Sequence, residues 1–141
     1  MSRVCWDSMV FIYWLESHPV YSPRVEHIFR SMMERGDRLC ASYLTLGEVL
    51  TKPTQAHELD LVARIEQFFD SGIVELLSFD RKAAGEFARM RGASNVSPAD
   101  AIHLACAGSS GVDLFLTHDK GLHKLRVPGI QFIAGLDVNL F

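Results

Sequence analysis

Two aspartates follow short apolar segments of this sequence at the point where each segment ends. Asp7 comes directly after Val4–Trp6, and Asp119 comes one residue beyond Leu114–Thr117. Both segments have the length and composition of buried strands. The carboxyl ends of the strands in an open parallel sheet lie along one edge, where such folds bind their ligands. We therefore expect the two carboxylates to share one crevice.

Two further acids fall in the first turns of predicted helices. Thr45 to Glu48 and Ser97 to Asp100 both have the pattern of a capping box, in which a hydroxyl residue is followed three positions later by an acid. Helices that follow parallel strands begin at the same sheet edge, so Glu48 and Asp100 can point into the crevice. The alternative is that both acids only cap their helices and that the two aspartates are ordinary turn residues.

The chemistry of four neighbouring carboxylates requires a cation. Like charges a few ångströms apart raise one another's pKa unless a positive charge intervenes. Oxygen-only ligands, without cysteine or paired histidine, favour Mg²⁺ or Mn²⁺ over zinc. Such sites commonly serve in-line displacement at phosphate, because the metal activates water and neutralises the leaving oxygen.

Short apolar segments alternate with longer segments of helical periodicity along the whole chain. The predicted strands are Val4–Trp6, Leu39–Ala41, Val74–Leu77, Leu114–Thr117 and, at an edge, Gln131–Ala134. Helices are predicted over Pro23–Arg35 and Glu58–Phe69, from the cap Asp80 through Arg91, and after the two capping patterns. Because each parallel connection needs a crossover, this alternation predicts an α/β fold with helices on both faces of a parallel sheet.

Length and composition agree with one globular unit. The chain has 141 residues, of which 48% are hydrophobic and 22% charged, so we expect a single domain over residues 1–141. The longest apolar run, Met9–Leu15, is too short to cross a bilayer, and the first residues lack the pattern of a secretory signal. We therefore expect a cytoplasmic protein. The net charge of −3 argues against a nonspecific polycation that coats nucleic acid.

The three cysteines are far apart and lie within apolar segments. Cys5, Cys40 and Cys106 form no C-x-x-C pair. This use of cysteine predicts buried, reduced thiols rather than a metal site or a disulfide framework.

Four motifs of the chain resemble those of the PIN-domain family, and most closely its small VapC-type toxins of toxin–antitoxin pairs. They are VCWDS with the helix MVFIYWLE, then LTLGEVL, then VSPADAIHLACA, and finally DLFLTHDKGLHKL. The resemblance runs from Arg3 to about Phe132. It implies a three-layer α/β/α sandwich around a mostly parallel sheet of four to five strands.

The resemblance also implies an activity and a site. It implies a Mg²⁺- or Mn²⁺-dependent endoribonuclease that hydrolyses RNA with metal-activated water, forms a homodimer and is held inactive by a cognate antitoxin in its cleft. The implied metal-binding and catalytic acids are Asp7, Glu48, Asp100 and Asp119. Ser8 and Thr117 match hydroxyl positions that support such sites.

The sequence departs from the family pattern beside the first acid. Met9 stands where many relatives have asparagine, and Lys120 stands where some have a further acid. One alternative is therefore a catalytically inactive PIN-like module that binds RNA or a protein. Another is a metal-dependent phosphatase or nucleotidase with Asp7 as nucleophile, although such enzymes usually carry a second aspartate at the position of Met9.

Basic and histidine side chains surround the last acid. Lys120 and Lys124 are the candidates for RNA contact because they neighbour Asp119. His118 and His123 either contact substrate or metal or are surface histidines, and we favour the surface position, since a separation of five residues places them poorly for one helical face.

Two other features have two interpretations each. His103, one turn after Asp100, either hydrogen-bonds to the site or is simply packed in the core. The aromatic residues of the first helix and the nearby Tyr21 either face a partner or belong to an apolar helix that packs on two others.

Overall fold

The computed structural model describes residues 1–141 and contains five strands, six α-helices and one short 3₁₀ turn. The strands are β1 (Arg3–Trp6), β2 (Arg38–Ser42), β3 (Val74–Leu77), β4 (Val112–Leu116) and β5 (Ile130–Ala134). The helices are α1 (Ser8–Leu15), α2 (Ser22–Arg35), α3 (Tyr43–Gln55), α4 (Leu59–Asp70), α5 (Arg81–Ala93) and α6 (Pro98–Ser110). The 3₁₀ turn spans Lys120–Leu122.

All five strands are parallel, in the order β3-β2-β1-β4-β5. The central residue Cys5 pairs with Cys40 on one side and with Phe115 on the other. The chain therefore moves outward from β1 to β3 and then returns to place β4 against β1. This reversal makes the carboxyl ends of β1 and β4 the switch point at which such folds bind ligands.

Alternate strand residues enter two separate cores. Val4 and Trp6 of β1 belong to the core under α1 to α4, whereas Cys5 belongs to the core under α5 and α6. The period of two along each strand produces this division. The predicted α/β class is confirmed, as a three-layer α/β/α arrangement around five parallel strands.

Two helix starts decide where acidic side chains fall. Ser97 caps α6 as predicted, because its Oγ accepts the N–H of Asp100 at 3.2 Å. The predicted start at Thr45 is wrong: α3 begins at Tyr43, and Ser42 is its cap, accepting the N–H of Thr45 at 3.2 Å. Glu48 therefore lies in the second turn of α3, where its carboxylate has no capping role.

The predicted burial of the three cysteines is confirmed. Cys5, Cys40 and Cys106 are free and buried. Burial raises the pKa of the Cys40 and Cys106 thiols to about 11, so both stay neutral at physiological pH. No helix in the structure combines the length and the hydrophobicity needed to cross a membrane.

Candidate active site

One cavity at the carboxyl edge of the sheet is lined by all four predicted acids. It has a volume of about 640 Å³ and opens above the ends of β1 and β4. Asp7 and Asp119 follow these two strands, while Glu48 comes from α3 and Asp100 from α6. Residues far apart in the sequence thus share one pocket.

The carboxylate of Asp7 is held by two hydrogen bonds. Its Oδ1 accepts the backbone N–H of Ser8 at 2.8 Å, and its Oδ2 accepts the hydroxyl of Thr117 at 2.8 Å. Asp7 is only 7% exposed. The structure thus places a Thr117 hydroxyl on this acid, whereas Ser8 contributes its backbone amide.

Thr117 also connects Asp7 to Asp119. Its Oγ1 accepts the backbone N–H of Asp119 at 3.1 Å while its proton goes to Asp7. The Oδ1 of Asp119 then accepts the N–H of Gly121 at 2.9 Å. A Cβ at Gly121 would lie 3.1 Å from this oxygen, so the glycine permits the close approach of the turn.

His103 orients Glu48. The Nε2 atom of His103 lies 2.6 Å from Oε1 of Glu48, and Nδ1 lies 2.7 Å from the hydroxyl of Ser42. The ring is 2% exposed, so it has little freedom to turn. Of the two sequence-based interpretations of His103, the structure supports the hydrogen-bonding one.

Asp100 is the acid whose environment most clearly opposes ionisation. Burial is the main cause that raises the pKa of its carboxyl, a hydrogen bond from Ser97 opposes this, and the charges of Asp7 and Asp119 raise it further. Its carboxylate does not complete the capping box, because no bond returns to the N–H of Ser97. This carboxylate therefore remains available to the cavity.

None of the four acids forms a salt bridge with lysine or arginine. Their only basic partner is His103, 2.6 Å from Glu48 and 3.9 Å from Asp7. No three His, Cys, Asp or Glu side chains already form a closed set of metal ligands. The uncompensated oxygen donors fit a hard divalent cation such as Mg²⁺ or Mn²⁺ chemically, with side-chain rotation needed to complete its coordination.

The structure separates the two predicted RNA-contacting lysines. Lys120 lines a second cavity of about 420 Å³, which shares His118 with the acidic cavity. Lys124 instead lines a groove beside β5 that contains none of the four acids. Met9, at the position where many relatives have asparagine, is 41% exposed and lines the acidic cavity.

Tyr13 is a cavity residue that sequence reasoning did not identify, and His118 is one for which the surface alternative was favoured. Both line the acidic cavity, and their ring centroids are 5.7 Å apart. His118 is half-buried against Tyr21, with centroids 4.5 Å apart, which corrects its interpretation as an ordinary surface histidine. His123 is also half-buried, with Nε2 2.9 Å from the carbonyl oxygen of Thr117.

A model of the PIN domain matches residues 4–128. The chain belongs to the PIN-domain family. None of the curated proteins matches this PIN-domain chain in sequence.

Solved structures with similar folds agree with this family. The VapBC2 structure from Rickettsia felis, bound to a DNA fragment from its promoter, matches with a TM-score of 0.75 at 12% identity, covering 94% of this chain and 98% of that one. A toxin–antitoxin complex from Klebsiella pneumoniae matches with a TM-score of 0.70 at 16% identity, covering 90% of this chain and 94% of that one. VapC20 from Mycobacterium tuberculosis is a toxin that cleaves the sarcin–ricin loop. It matches with a TM-score of 0.66 at 12% identity, covering 79% of this chain and 86% of that one. At these identities, the likeness is one of fold.

Proposed function

We propose that this PIN-domain protein is a Mg²⁺- or Mn²⁺-dependent endoribonuclease and the toxin of a toxin–antitoxin pair. One observation carries the proposal: four carboxylates from separate elements line one cavity without a lysine or arginine partner. A cluster of this kind, with Asp7 buried and Glu48 and Asp100 partly buried, is unfavourable unless a cation compensates it, and RNA hydrolysis is a reaction that uses such a cation.

In this proposal Asp7, Glu48, Asp100 and Asp119 hold the ion. When bound, the ion supplies an activated water and neutralises charge on the departing 3′-oxygen. The chain contributes fixed donors, because Thr117 and His103 restrict the Asp7 and Glu48 carboxylates before any ligand arrives. Preorganised oxygens lose less freedom on binding than mobile ones do, which favours tight and correctly placed metal.

The proposed protein partner is an antitoxin. The similar structures from Rickettsia felis and Klebsiella pneumoniae are toxin–antitoxin structures. A groove of about 560 Å³ between α1, α3 and α4 shares Ile12 and Glu48 with the acidic cavity, and half of its ten lining residues are hydrophobic. An antitoxin segment in this groove would lie over the site. We further propose that the 1–141 chain acts as one domain and as a homodimer.

Met9 supports a second candidate, a PIN module that binds RNA or a partner without cleaving it. The thioether in the cavity wall cannot donate a hydrogen bond as asparagine would. The phosphatase alternative is disfavoured, because Met9 stands where such enzymes usually carry a second aspartate.

The test is cleavage of total RNA and of unstructured oligoribonucleotides with added Mn²⁺. We expect the wild-type protein to cut RNA internally, EDTA to stop cleavage, and Asp7→Asn to lower the rate at least about 1,000-fold, as loss of an essential group does. Asp70→Asn, at the exposed end of α4, is the matched control and should cleave normally. Full activity of Asp7→Asn would refute the site, and metal-independent binding without any cleavage would support the inactive module.

A further inference from the structure

A second cavity adjoins the proposed active site, and its chemistry differs from that of the acidic cavity. The two share His118, and the second has a volume of about 420 Å³, within the usual range for small-molecule sites. Its wall includes Tyr21, Arg24 and Lys120 but none of the four acids.

The aromatic side of this cavity is a packed group of rings. Tyr21 lies 4.5 Å from His118 and 4.8 Å from Tyr13, centroid to centroid. His18 stacks on Tyr21 at 4.7 Å, and its Nδ1 accepts the backbone N–H of Tyr21 at 3.2 Å. Tyr21, His118 and Tyr13 are all half-buried. The rings are thus held in place while part of their surface faces the cavities.

The wall of this cavity also carries two cations, Arg24 and Lys120. The guanidinium of Arg24 donates to the carbonyl oxygens of Leu136 at 2.7 Å and of Val138 at 2.6 Å, which fixes it without neutralising it. Lys120 is exposed, and none of the salt bridges in the structure includes it. Asp137 is the one acid in the wall, so the two cations leave the cavity with a positive balance.

We propose that this cavity is a nucleotide subsite in which a base of single-stranded RNA packs on Tyr21 and His118 and a flanking phosphate meets Lys120. The inference rests on the proposed function and adds the placement of the substrate strand. A splayed-out base stacks on aromatic rings, whereas a phosphate requires a cation, and both features are present beside the acidic cavity. His118 then separates the reacting phosphodiester from the recognised base.

The first arm of the test measures binding without cleavage. Aromatic-ring NMR of the full chain, in EDTA, follows the Tyr21 and His118 signals as a diribonucleoside monophosphate is added. We expect ring-current shifts at both residues, together with loss of the effect in Tyr21→Leu, which keeps an apolar side chain but removes the ring. Unshifted Tyr21 and His118 signals at saturating dinucleotide overturn the proposal. Shifts without cleavage of any RNA would refute the nuclease and leave the subsite standing.

The second arm uses cleavage of an oligoribonucleotide with single abasic nucleotides placed along it. One abasic position should lower kcat/KM of the wild type about tenfold, the effect of losing one stacked base. On intact RNA, the kcat/KM of Tyr21→Leu should be lower than that of the wild type by a similar factor. The abasic position should then have no further effect on this variant. Phe79→Leu removes an exposed ring from another part of the surface and should match wild type.

Two further variants complete the design. If Tyr21→Leu does not fold, as judged by circular dichroism, His118→Gln tests the same stacking surface. Lys120→Ala should reduce the salt dependence of binding more than Lys82→Ala, an exposed lysine on α5. Equal abasic sensitivity of the wild type and the ring variant, or equal salt dependence of the two lysine variants, contradicts the subsite.

Discussion

The acids at the two ends of the sheet have different partners. At the amino edge, Asp37 accepts the guanidinium of Arg35 at 2.7 Å, and Glu75 pairs with Arg3 at 2.8 Å and with Arg38 at 3.6 Å. At the carboxyl edge, no arginine or lysine pairs with the four acids of the cavity. The chain therefore compensates one set of acids internally and leaves the other set uncompensated.

This difference indicates where negative charge is structural and where it is available to a ligand. Asp37 is 8% exposed and Asp7 is 7% exposed, so the contrast between them is not one of depth. The two acids differ in charge compensation. Asp37 has the guanidinium of Arg35, whereas the hydrogen bonds from Ser8 and Thr117 orient Asp7 without supplying a full positive charge. A divalent cation would compensate the negative charge at the carboxyl edge, as arginine does at the amino edge.

Outside the four acids, the largest effect is expected from the histidine that orients Glu48. His103→Asn shortens the side chain and removes the 2.6 Å contact with the carboxylate. We expect both Mn²⁺ affinity and RNA cleavage to fall about 10- to 100-fold, as happens when an outer partner of a metal ligand is lost. Calorimetry and initial cleavage rates measure the two effects. Unchanged values for both in a folded variant would show that His103 is only packed.

The next effect is on stability at the amino edge. Asp37→Asn removes the charge that Arg35 contacts, although the amide oxygen can still accept the N–H of Ser2. We expect the free energy of unfolding to fall by about 1.5 kcal/mol, in line with charged hydrogen bonds that lose a partner. Urea denaturation measures this, with Asp70→Asn as the exposed control. A loss no larger than that of the control would remove the structural role assigned to Asp37.

The smallest effect is on the stability of the metal-free protein, and here we expect a gain rather than a loss. Asp100→Asn removes a carboxylate that burial and two neighbouring acids make unfavourable, so metal-free protein should gain about 0.5 kcal/mol at neutral pH. Because the folded-state pKa of Asp100 is raised above 3.8, the penalty develops as pH rises through this range and disappears below it. Urea denaturation at pH 7 and near pH 3.5 checks both points. Destabilisation at pH 7 would contradict the uncompensated cluster.

Much of the architecture could be predicted because strand segments and helix ends have strong local signals. Val74–Leu77 was predicted with the bounds that the structure has, and α2 begins one residue before the predicted Pro23. The start of α3 was missed because Ser42 serves both as the last residue of β2 and as the helix cap. The pattern from Thr45 to Glu48 fits a cap equally well in sequence, and only the backbone geometry distinguishes the two.

The site could be predicted in part. The four acids meet in one cavity, as parallel topology requires of residues at strand ends and helix starts. His103 gave one local signal, its position one turn after Asp100 on α6. The contacts of Tyr21 with His118 join segments almost 100 residues apart, so no local pattern could reveal them. The helical period of α1 does not distinguish a ring that lines a cavity from one that is fully buried.

The most direct test of the account is calorimetric titration of Mn²⁺ into three metal-free proteins at neutral pH: wild type, Asp100→Asn and Asp37→Asn. We expect wild type and Asp37→Asn to bind the ion with similar affinity and Asp100→Asn to bind it at least about tenfold more weakly. Equal affinity of wild type and Asp100→Asn, or the same loss in both variants, would contradict the claim that the carboxyl-edge acids form the metal site.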